Sequence, residues 1–304
     1  MNFYLKKIIR ICGFLIALHN AVAYAQQAPI DNGLSYLRTT QNADGSWGGT
    51  ETSLNTVLQT TATTARTLQL LGTTDTSLTN SISFLTAQTP NTVDDLSQQV
   101  EALAASGVDV STLAASIKTA QQADGGWGLD LEKNFTSAVV DTGSALRALK
   151  VAGATDVTID STALAYLLTT QNSDDGFGFY RGDVSNVYMT SLVSSTLQRF
   201  TQTISIASSL NKATAYLIAH QNPDGGFGSG GASPAPTETA LAYIALVSVT
   251  TDNTVLGNAI NYLTATQLQN GSWHDDMSSI FFPFLIEKHK KNGIFVLVSL
   301  LGSL

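Results

Sequence analysis

Cysteine is almost absent from this chain, because Cys12 is its only cysteine. Since Cys12 lies in an N-terminal segment that we interpret as a cleaved signal, the remaining chain can form no disulfide and offers no thiolate. Charge is also scarce, at 12% of residues, and the 15 basic residues are outnumbered by 23 acidic ones. Nucleic acids and anionic lipid surfaces are therefore poor partners, since both are bound by basic patches.

The first 25 residues have the three parts of a secretory signal. Lys6, Lys7 and Arg10 form the positive end, residues 11–17 the apolar middle, and a small-x-small cleavage site ends at Ala25. The apolar run is shorter than the roughly 20 residues that span a bilayer. We expect cleavage after Ala25, which gives a secreted or periplasmic protein without a membrane anchor. Loss of three basic residues changes the formal charge from −8 to −11.

A short marker recurs along the rest of the chain, in the order glutamine, acid or amide, glycine, aromatic. Five copies are good, and a sixth at Gln88 keeps only the lead-in. The leading glutamines are 47, 33, 50, 50 and 46 residues apart, which is the period of a helical repeat architecture. The good copies pair Gln41 with Trp47, Gln121 with Trp127, Gln171 with Phe177, Gln221 with Phe227, and Gln267 with Trp273.

Each marker stands between two amphipathic runs, whose apolar residues recur at helical spacing. The runs before the markers are 30–40, 80–87, 111–120, 160–170, 208–220 and 255–266, and those after them are 54–71, 92–105, 137–152, 187–200 and 237–249, with a less regular last one from Met277. This predicts six helical hairpins, and closure into two concentric rings would bury the open ends of the stack. We therefore expect an all-α fold, an α/α toroid (α6/α6 barrel) over residues 26–290.

The pattern fails after Asp276. An aromatic run containing Pro283 stands where the last inner helix is due, although proline breaks a helix interior. A basic patch follows, and residues 291–304 form an apolar tail. Two interpretations stay open: an atypical last helix, or a shift of reading frame near codon 277.

The markers resemble the QW repeat of the squalene and oxidosqualene cyclases and of protein prenyltransferase β subunits, over roughly residues 30 to 276. The resemblance implies an α/α toroid in which the glutamine meets the aromatic ring and ties an outer helix to the start of the next inner one. It does not imply an activity by itself.

The chemistry of these relatives transfers poorly to this sequence. Cyclases of the family protonate their substrate from an Asp-x-Asp-Asp motif, whereas the nearest string here is Thr92-Val93-Asp94-Asp95. Prenyltransferases hold zinc through Asp, Cys and His, and the mature chain has no cysteine. We therefore predict no metal site and no cofactor. Exported toroids that resemble the cobalamin carriers fit better, although those carriers close over their ligand with a second domain.

Acidic residues gather where the inner helices are expected to begin. They include Asp94, Asp95, Asp130, Asp183 and Glu238, and they serve either to offset the helix dipoles or to form a rim that binds a cation or a polyhydroxylated ligand. The marker aspartates Asp44, Asp124, Asp174 and Asp224 are predicted turn formers. Asp141 and Glu238, with Tyr188 and Tyr243 nearby, are the candidate ligand-binding residues that face the lumen. An acid there would have a raised pKa and could donate a proton.

Three functions remain open at this point. The first is an exported, noncatalytic toroid that binds a small molecule or glycan at one end of the inner ring. The second is an enzyme, either a carbohydrate lyase or hydrolase with Asp141 or Glu238 as acid, or a terpene-cyclase-like protein. The third is a scaffold module of a larger surface protein.

Overall fold

In a computed structural model, the chain is described over residues 28–49, 56–154, 156–200, 204–229 and 233–273. These residues form eleven α-helices in odd and even pairs and no extended strand, which confirms the all-α prediction. The odd-numbered helices are α1 (28–40), α3 (Thr76–Thr86), α5 (Ser111–Thr119), α7 (Val157–Thr169), α9 (Ile204–Ala219) and α11 (Asn253–Thr266). The even-numbered ones are α2 (Val57–Leu70), α4 (Val93–Ala105), α6 (Val139–Val151), α8 (Val187–Leu197) and α10 (Pro236–Leu246).

The even-numbered helices form the inner ring. They contact one another in chain order, from α2 to α4, α6, α8 and α10, while the odd helices pack outside them. Their small residues are buried on nearly every side, as helices between an outer layer and a central axis require. The predicted last inner helix, the signal segment 1–25 and the tail 291–304 all lie outside the described residues.

Side-chain caps fix the starts of several outer helices. Asp75, Asp156 and Asp252 each accept hydrogen bonds from two backbone N–H groups of the following turn. These caps explain why α3 begins at Thr76 rather than near residue 80, where its apolar periodicity becomes visible. Polar residues in a first turn carry no periodic signal, so the sequence pattern placed this start too late.

The marker glutamines link neighbouring outer helices. In each good copy the amide nitrogen donates to a backbone oxygen of its own turn and to a carbonyl at or near the start of the next outer helix. The bonds to the next helix run from Gln41 to Ser77, Gln121 to Ile159, Gln171 to Ser209, Gln221 to Val255 and Gln267 to Pro29, at 2.8–3.1 Å. The tie that the resemblance implies, from an outer helix to the start of the next inner helix, is therefore not the contact that these hydrogen bonds make. The groups that these side chains meet are carbonyl oxygens of the adjacent outer helix, and only the amide nitrogen can donate to them.

The marker aromatics join the outer ring to the inner ring. Trp47, Trp127, Phe177 and Phe227 are fully buried, and Trp127 Nε1 donates to Ile117 O of the preceding outer helix at 2.7 Å. The backbone N–H of each aromatic donates to a threonine hydroxyl of the next inner helix. These pairs are Trp47 with Thr61, Trp127 with Thr142, Phe177 with Thr190 and Phe227 with Thr239, at 2.9–3.0 Å.

The marker turns depend on their aspartates and glycines. Asp124 Oδ1 accepts from the Gly126 N–H, and Asp44, Asp174 and Asp224 make the same contact two residues ahead, which confirms them as turn formers. Gly125 has a φ of +89°, and a Cβ there would lie 2.5 Å from the Thr162 oxygen. The turn therefore needs glycine both for its left-handed backbone and for its approach to the next outer helix.

None of the helices in the described ranges is long and apolar enough to cross a membrane.

Candidate functional site

The threonines that hold the marker aromatics also define which face of each inner helix points at the ring axis. Because those threonines face outward, residues two before, two after and five after them lie on the opposite side of the helix. The inward residues are Gln59, Thr63 and Arg66 on α2, and Val140, Ser144 and Arg147 on α6. They are Tyr188, Leu192 and Ser195 on α8, and Thr237, Leu241 and Ile244 on α10. The inward face is thus polar on α2 and α6 and more aliphatic on α8 and α10.

Helix α4 has no such threonine, because its marker is the degenerate one at Gln88. Gln99 takes over the outward role and donates from Nε2 to Leu85 O at 2.7 Å. The inward residues of α4 are identified by their partners on neighbouring helices: Asp94, Gln98 and Glu101.

Asp94 is the centre of a buried hydrogen-bond network that joins three inner helices. Its Oδ2 accepts from Gln98 at 2.6 Å and from Gln59 of α2 at 3.1 Å. Its Oδ1 accepts from the Ser144 hydroxyl of α6 at 2.6 Å. Burial raises the pKa of the Asp94 carboxyl, while the Ser144 hydrogen bond and the Arg147 charge oppose that rise.

Arg147 determines which groups donate and which accept hydrogen bonds in this network. It donates from one terminal nitrogen to Ser144 Oγ at 3.1 Å and from the other to Thr196 Oγ1 of α8 at 3.1 Å. Its Nε lies 3.4 Å from Glu101 Oε1, and both side chains of this ion pair are largely buried. Since arginine can only donate, Ser144 accepts from Arg147 and its own proton points at Asp94.

Some buried hydroxyls on the same helices have no hydrogen-bond partner within the part of the chain that the structure describes. Ser97 Oγ of α4 is one, and Ser191 Oγ and Ser195 Oγ of α8 are two others. Buried polar atoms are normally satisfied, so these groups are sites at which a further donor or acceptor would be stabilised.

Asp141 is buried at 5% exposure beside this network, at the start of α6. Burial raises its pKa to about 7, and the nearby charge of Asp94 contributes to the rise. Among the described residues no hydrogen bond reaches its carboxyl group, unlike that of Asp94. The raised pKa expected for an acid at this position therefore has a structural cause.

The other three predicted site residues are dispersed. Tyr188 faces inward, is buried, and stacks on Phe179 with ring centroids 6.2 Å apart. Glu238 accepts from the Ser229 backbone N–H at 2.9 Å and from its hydroxyl, so its carboxylate fastens the loop before α10. Tyr243 is buried in the cluster that α10 forms with α9 and α11, away from the network.

The structure therefore brings Asp141 and Tyr188 close to the network but separates Tyr243 from it. The sequence did not identify Ser144, Arg147, Glu101 and Gln98 as members of the network. Asp94 was considered as one of the acids at the helix starts and as part of the string nearest to the Asp-x-Asp-Asp motif. A signal was present in the i, i+4, i+7 spacing of Asp94, Gln98 and Glu101, which lies on one helical face.

Within the described ranges, no group of three or more His, Cys, Asp or Glu side chains is placed to hold a metal ion.

Comparison with known proteins identifies relatives of this fold. Type II terpene cyclase MstE from Scytonema superposes with a TM-score of 0.68 at 18% identity, over 82% of either chain. A protein from Actinoplanes gives 0.65 at 15% identity, over 82% of this chain and 83% of that one. Ent-copalyl diphosphate synthase from Streptomyces platensis gives 0.57 at 18% identity, over 75% of this chain and 45% of its own. At these identities the likeness shows the fold alone.

No curated protein matches the sequence significantly. The family model described as the squalene-hopene cyclase C-terminal domain matches residues 130–303, which is more than half of the chain. That span contains three of the five good markers and the helices from α6 onward. The chain therefore belongs to the squalene-hopene cyclase C-terminal domain family, with the α/α toroid fold.

Proposed function

We propose that this chain is an exported, noncatalytic toroid that binds a small polar molecule or glycan at one end of the inner ring. The proposal rests on a chain of two hydrogen bonds, in which Arg147 donates to Ser144 and Ser144 donates to Asp94. It holds the Asp94 carboxyl group and the Arg147 guanidinium on either side of Ser144 on the inward face, where they can recognise hydroxyl, amide or charged groups.

The composition of the inward face supports a polar ligand. Gln59, Thr63 and Arg66 of α2 face the axis beside Gln98 and Glu101, and the unpartnered hydroxyls Ser97 and Ser195 add further hydrogen-bonding capacity. Ligand sites combine preformed shape with a few fixed polar groups, and this face has many such groups. The aliphatic side formed by Leu192, Leu241 and Ile244 would accept the apolar part of the same ligand.

A second candidate is acid-initiated terpene cyclisation. Two observations favour it: the family assignment, and a buried Asp94 with a raised pKa at the start of an inner helix. One MstE structure from Scytonema holds geranylgeranyl dihydroxybenzoate as substrate. Asp94, however, is the acceptor in its hydrogen bonds to Gln59, Gln98 and Ser144, and the sequence lacks the Asp-x-Asp-Asp motif from which cyclases of the family protonate their substrate.

Turnover and binding assays on the same variants separate these functions. Wild type, Asp94→Asn and Arg147→Met would be incubated with squalene and with geranylgeranyl dihydroxybenzoate, and the products analysed by chromatography with mass detection. The proposal predicts that wild type forms no cyclised isomer. Product formation by wild type that is lost in Asp94→Asn would establish the cyclase instead.

Binding is tested by thermal shift with a panel of sugars, polyols and amino acids. A binder gains melting temperature with a polar compound, and this gain falls in Arg147→Met. A scaffold would show neither turnover nor a shift with any compound. Circular dichroism of each variant checks that loss of the shift is not loss of the fold.

A further inference from the structure

Two loops at the start of the inner helices expose large apolar side chains. Phe135 is 52% exposed and Tyr180 is 50% exposed, and their loops precede α6 and α8. Leu129 and Val184, in the same two loops, are exposed as well. We call these four residues the rim platform. Exposed apolar groups gathered in neighbouring loops are typical of binding surfaces, whereas single ones need no explanation.

Both loops are held rigidly by hydrogen bonds. In the first, Gln122 Nε2 donates to Phe135 O at 2.7 Å, and Asn134 donates to both oxygens of Asp130. In the second, Asn172 Nδ2 donates to Asp183 O at 2.7 Å, and the Tyr180 N–H donates to Asp183 Oδ2 at 3.1 Å. The platform is therefore preorganised, which lowers the entropic cost of binding a ligand.

The two loops are neighbours in the ring. The Val139 N–H at the start of α6 donates to Phe179 O of the second loop at 2.9 Å, and the Val93 N–H of α4 donates to Leu129 O of the first. The loop before α6 thus covers the start of α4, and the loop before α8 covers the start of α6. The platform lies at the same end of the ring as Asp94 and as the Tyr188 ring, which stacks on Phe179.

We propose that the rim platform binds a neutral polysaccharide, one end or branch of which reaches the inner ring. This inference rests on the proposed function and names its ligand. Aromatic rings such as Phe135 and Tyr180 can pack against the C–H faces of sugar rings. The carboxylates of Glu132 and Asp183, which are exposed in the same two loops, can accept hydrogen bonds from hydroxyl groups. The net negative charge of the chain disfavours an anionic polymer.

The test is affinity electrophoresis in native gels that contain soluble starch, mixed-linkage β-glucan, xyloglucan or galactomannan. Wild type is expected to be retarded by at least one of them. Phe135→Ser with Tyr180→Ser should weaken that interaction about tenfold or more, because the stacking surface is lost. The matched control is Val157→Ser with Ile204→Ser, since these side chains are 88% and 91% exposed where outer helices begin. The control should bind like wild type.

Three results would overturn the inference: no retardation by any of the four polymers, equal retardation of the platform variant, or equal losses in the platform and control variants. Self-association of wild type that the platform variant abolishes would assign the surface to a second copy instead.

Arg147→Met distinguishes this inference from the proposed function. If it binds the polymer normally while the platform variant does not, the platform stands and the inner-ring site fails. If polar small molecules bind but no polymer does, the inner-ring site stands and the platform fails.

Discussion

Gln267 Nε2 donates a hydrogen bond to the carbonyl oxygen of Pro29 at 2.9 Å, across a separation of 238 residues. The last described marker therefore docks on the first helix in the way that each earlier good marker docks on the next outer helix. Close packing accompanies the bond, because a Cβ at Gly271 would lie 2.2 Å from Asn32 O. This contact closes the outer ring of the toroid.

The closing contact predicts coupling between the ends of the chain. Gln267→Leu leaves the Pro29 and Gly271 carbonyls without this donor, which costs about 1–3 kcal/mol of unfolding free energy. Amide exchange should then accelerate in both α1 and α11. Gln41→Leu is the matched control, because its bond to Ser77 O joins helices close in sequence and should not expose α11. Unchanged exchange in α1 of Gln267→Leu would refute closure by this contact.

The marker tryptophans should dominate local stability. Trp127 is fully buried, so Trp127→Ala should lower the free energy of unfolding by about 3–5 kcal/mol. Trp127→Phe keeps most of the ring packing and loses the bond from Nε1 to Ile117 O, for about 1 kcal/mol. Urea unfolding of the two variants measures both quantities. An unchanged melting temperature in Trp127→Ala would contradict burial of the ring.

The marker turns predict one stabilising substitution. Asp175 stands where Gly125 stands in the preceding marker, and its φ is +73°, which costs an ordinary residue about 1–2 kcal/mol. Asp175→Gly should relieve that strain, since the Lys212 ion pair that it removes is exposed and weak. Gly125→Ala should be destabilising because its Cβ meets Thr162 O. Equal melting temperatures for all three proteins would show that the turn tolerates either residue.

Asp141 predicts a pH dependence of stability. Its pKa is raised from 3.8 to about 7 in the folded chain, so the folded state binds its proton more tightly than the unfolded state does. The contribution of Asp141 to the free energy of unfolding is therefore fully present below about pH 4. It is lost as the pH rises through about 7, and the loss is at most about 4 kcal/mol. Asp141→Asn should remove this dependence and be the more stable protein at pH 8. Parallel stability curves for wild type and variant between pH 4 and 8 would contradict it.

Much of the fold followed from the sequence because its determinants are local. The glutamine, glycine and aromatic of each marker lie within seven residues, and helical periodicity located all eleven helices of the described residues. The partners of Gln121 could not be predicted, since its acceptor Ile159 belongs to the next hairpin. Only the packed rings bring those groups together.

The inward face was harder to predict for a related reason. Whether Arg147 faces inward depends on Thr142 being held outward by Trp127, and that contact joins residues 15 positions apart. Helix α4 lacks an aromatic marker, so its own sequence indicates that Asp94 and Glu101 share one helical face but not that this face points inward. Asp141 was recognised from the sequence as an acid inside an inner helix and a candidate to face the lumen, but its missing partners are a property of the packed interior.

Native mass spectrometry of the protein purified from its natural host, under conditions that preserve bound molecules, shows whether the inner ring holds a polar ligand. Wild type is expected to retain a polar small molecule or oligosaccharide, and Arg147→Met, folded by circular dichroism, should retain much less of it. Wild type carrying a prenyl hydrocarbon or its cyclised isomer, or an Arg147→Met variant carrying the same polar molecule in the same amount, would contradict it.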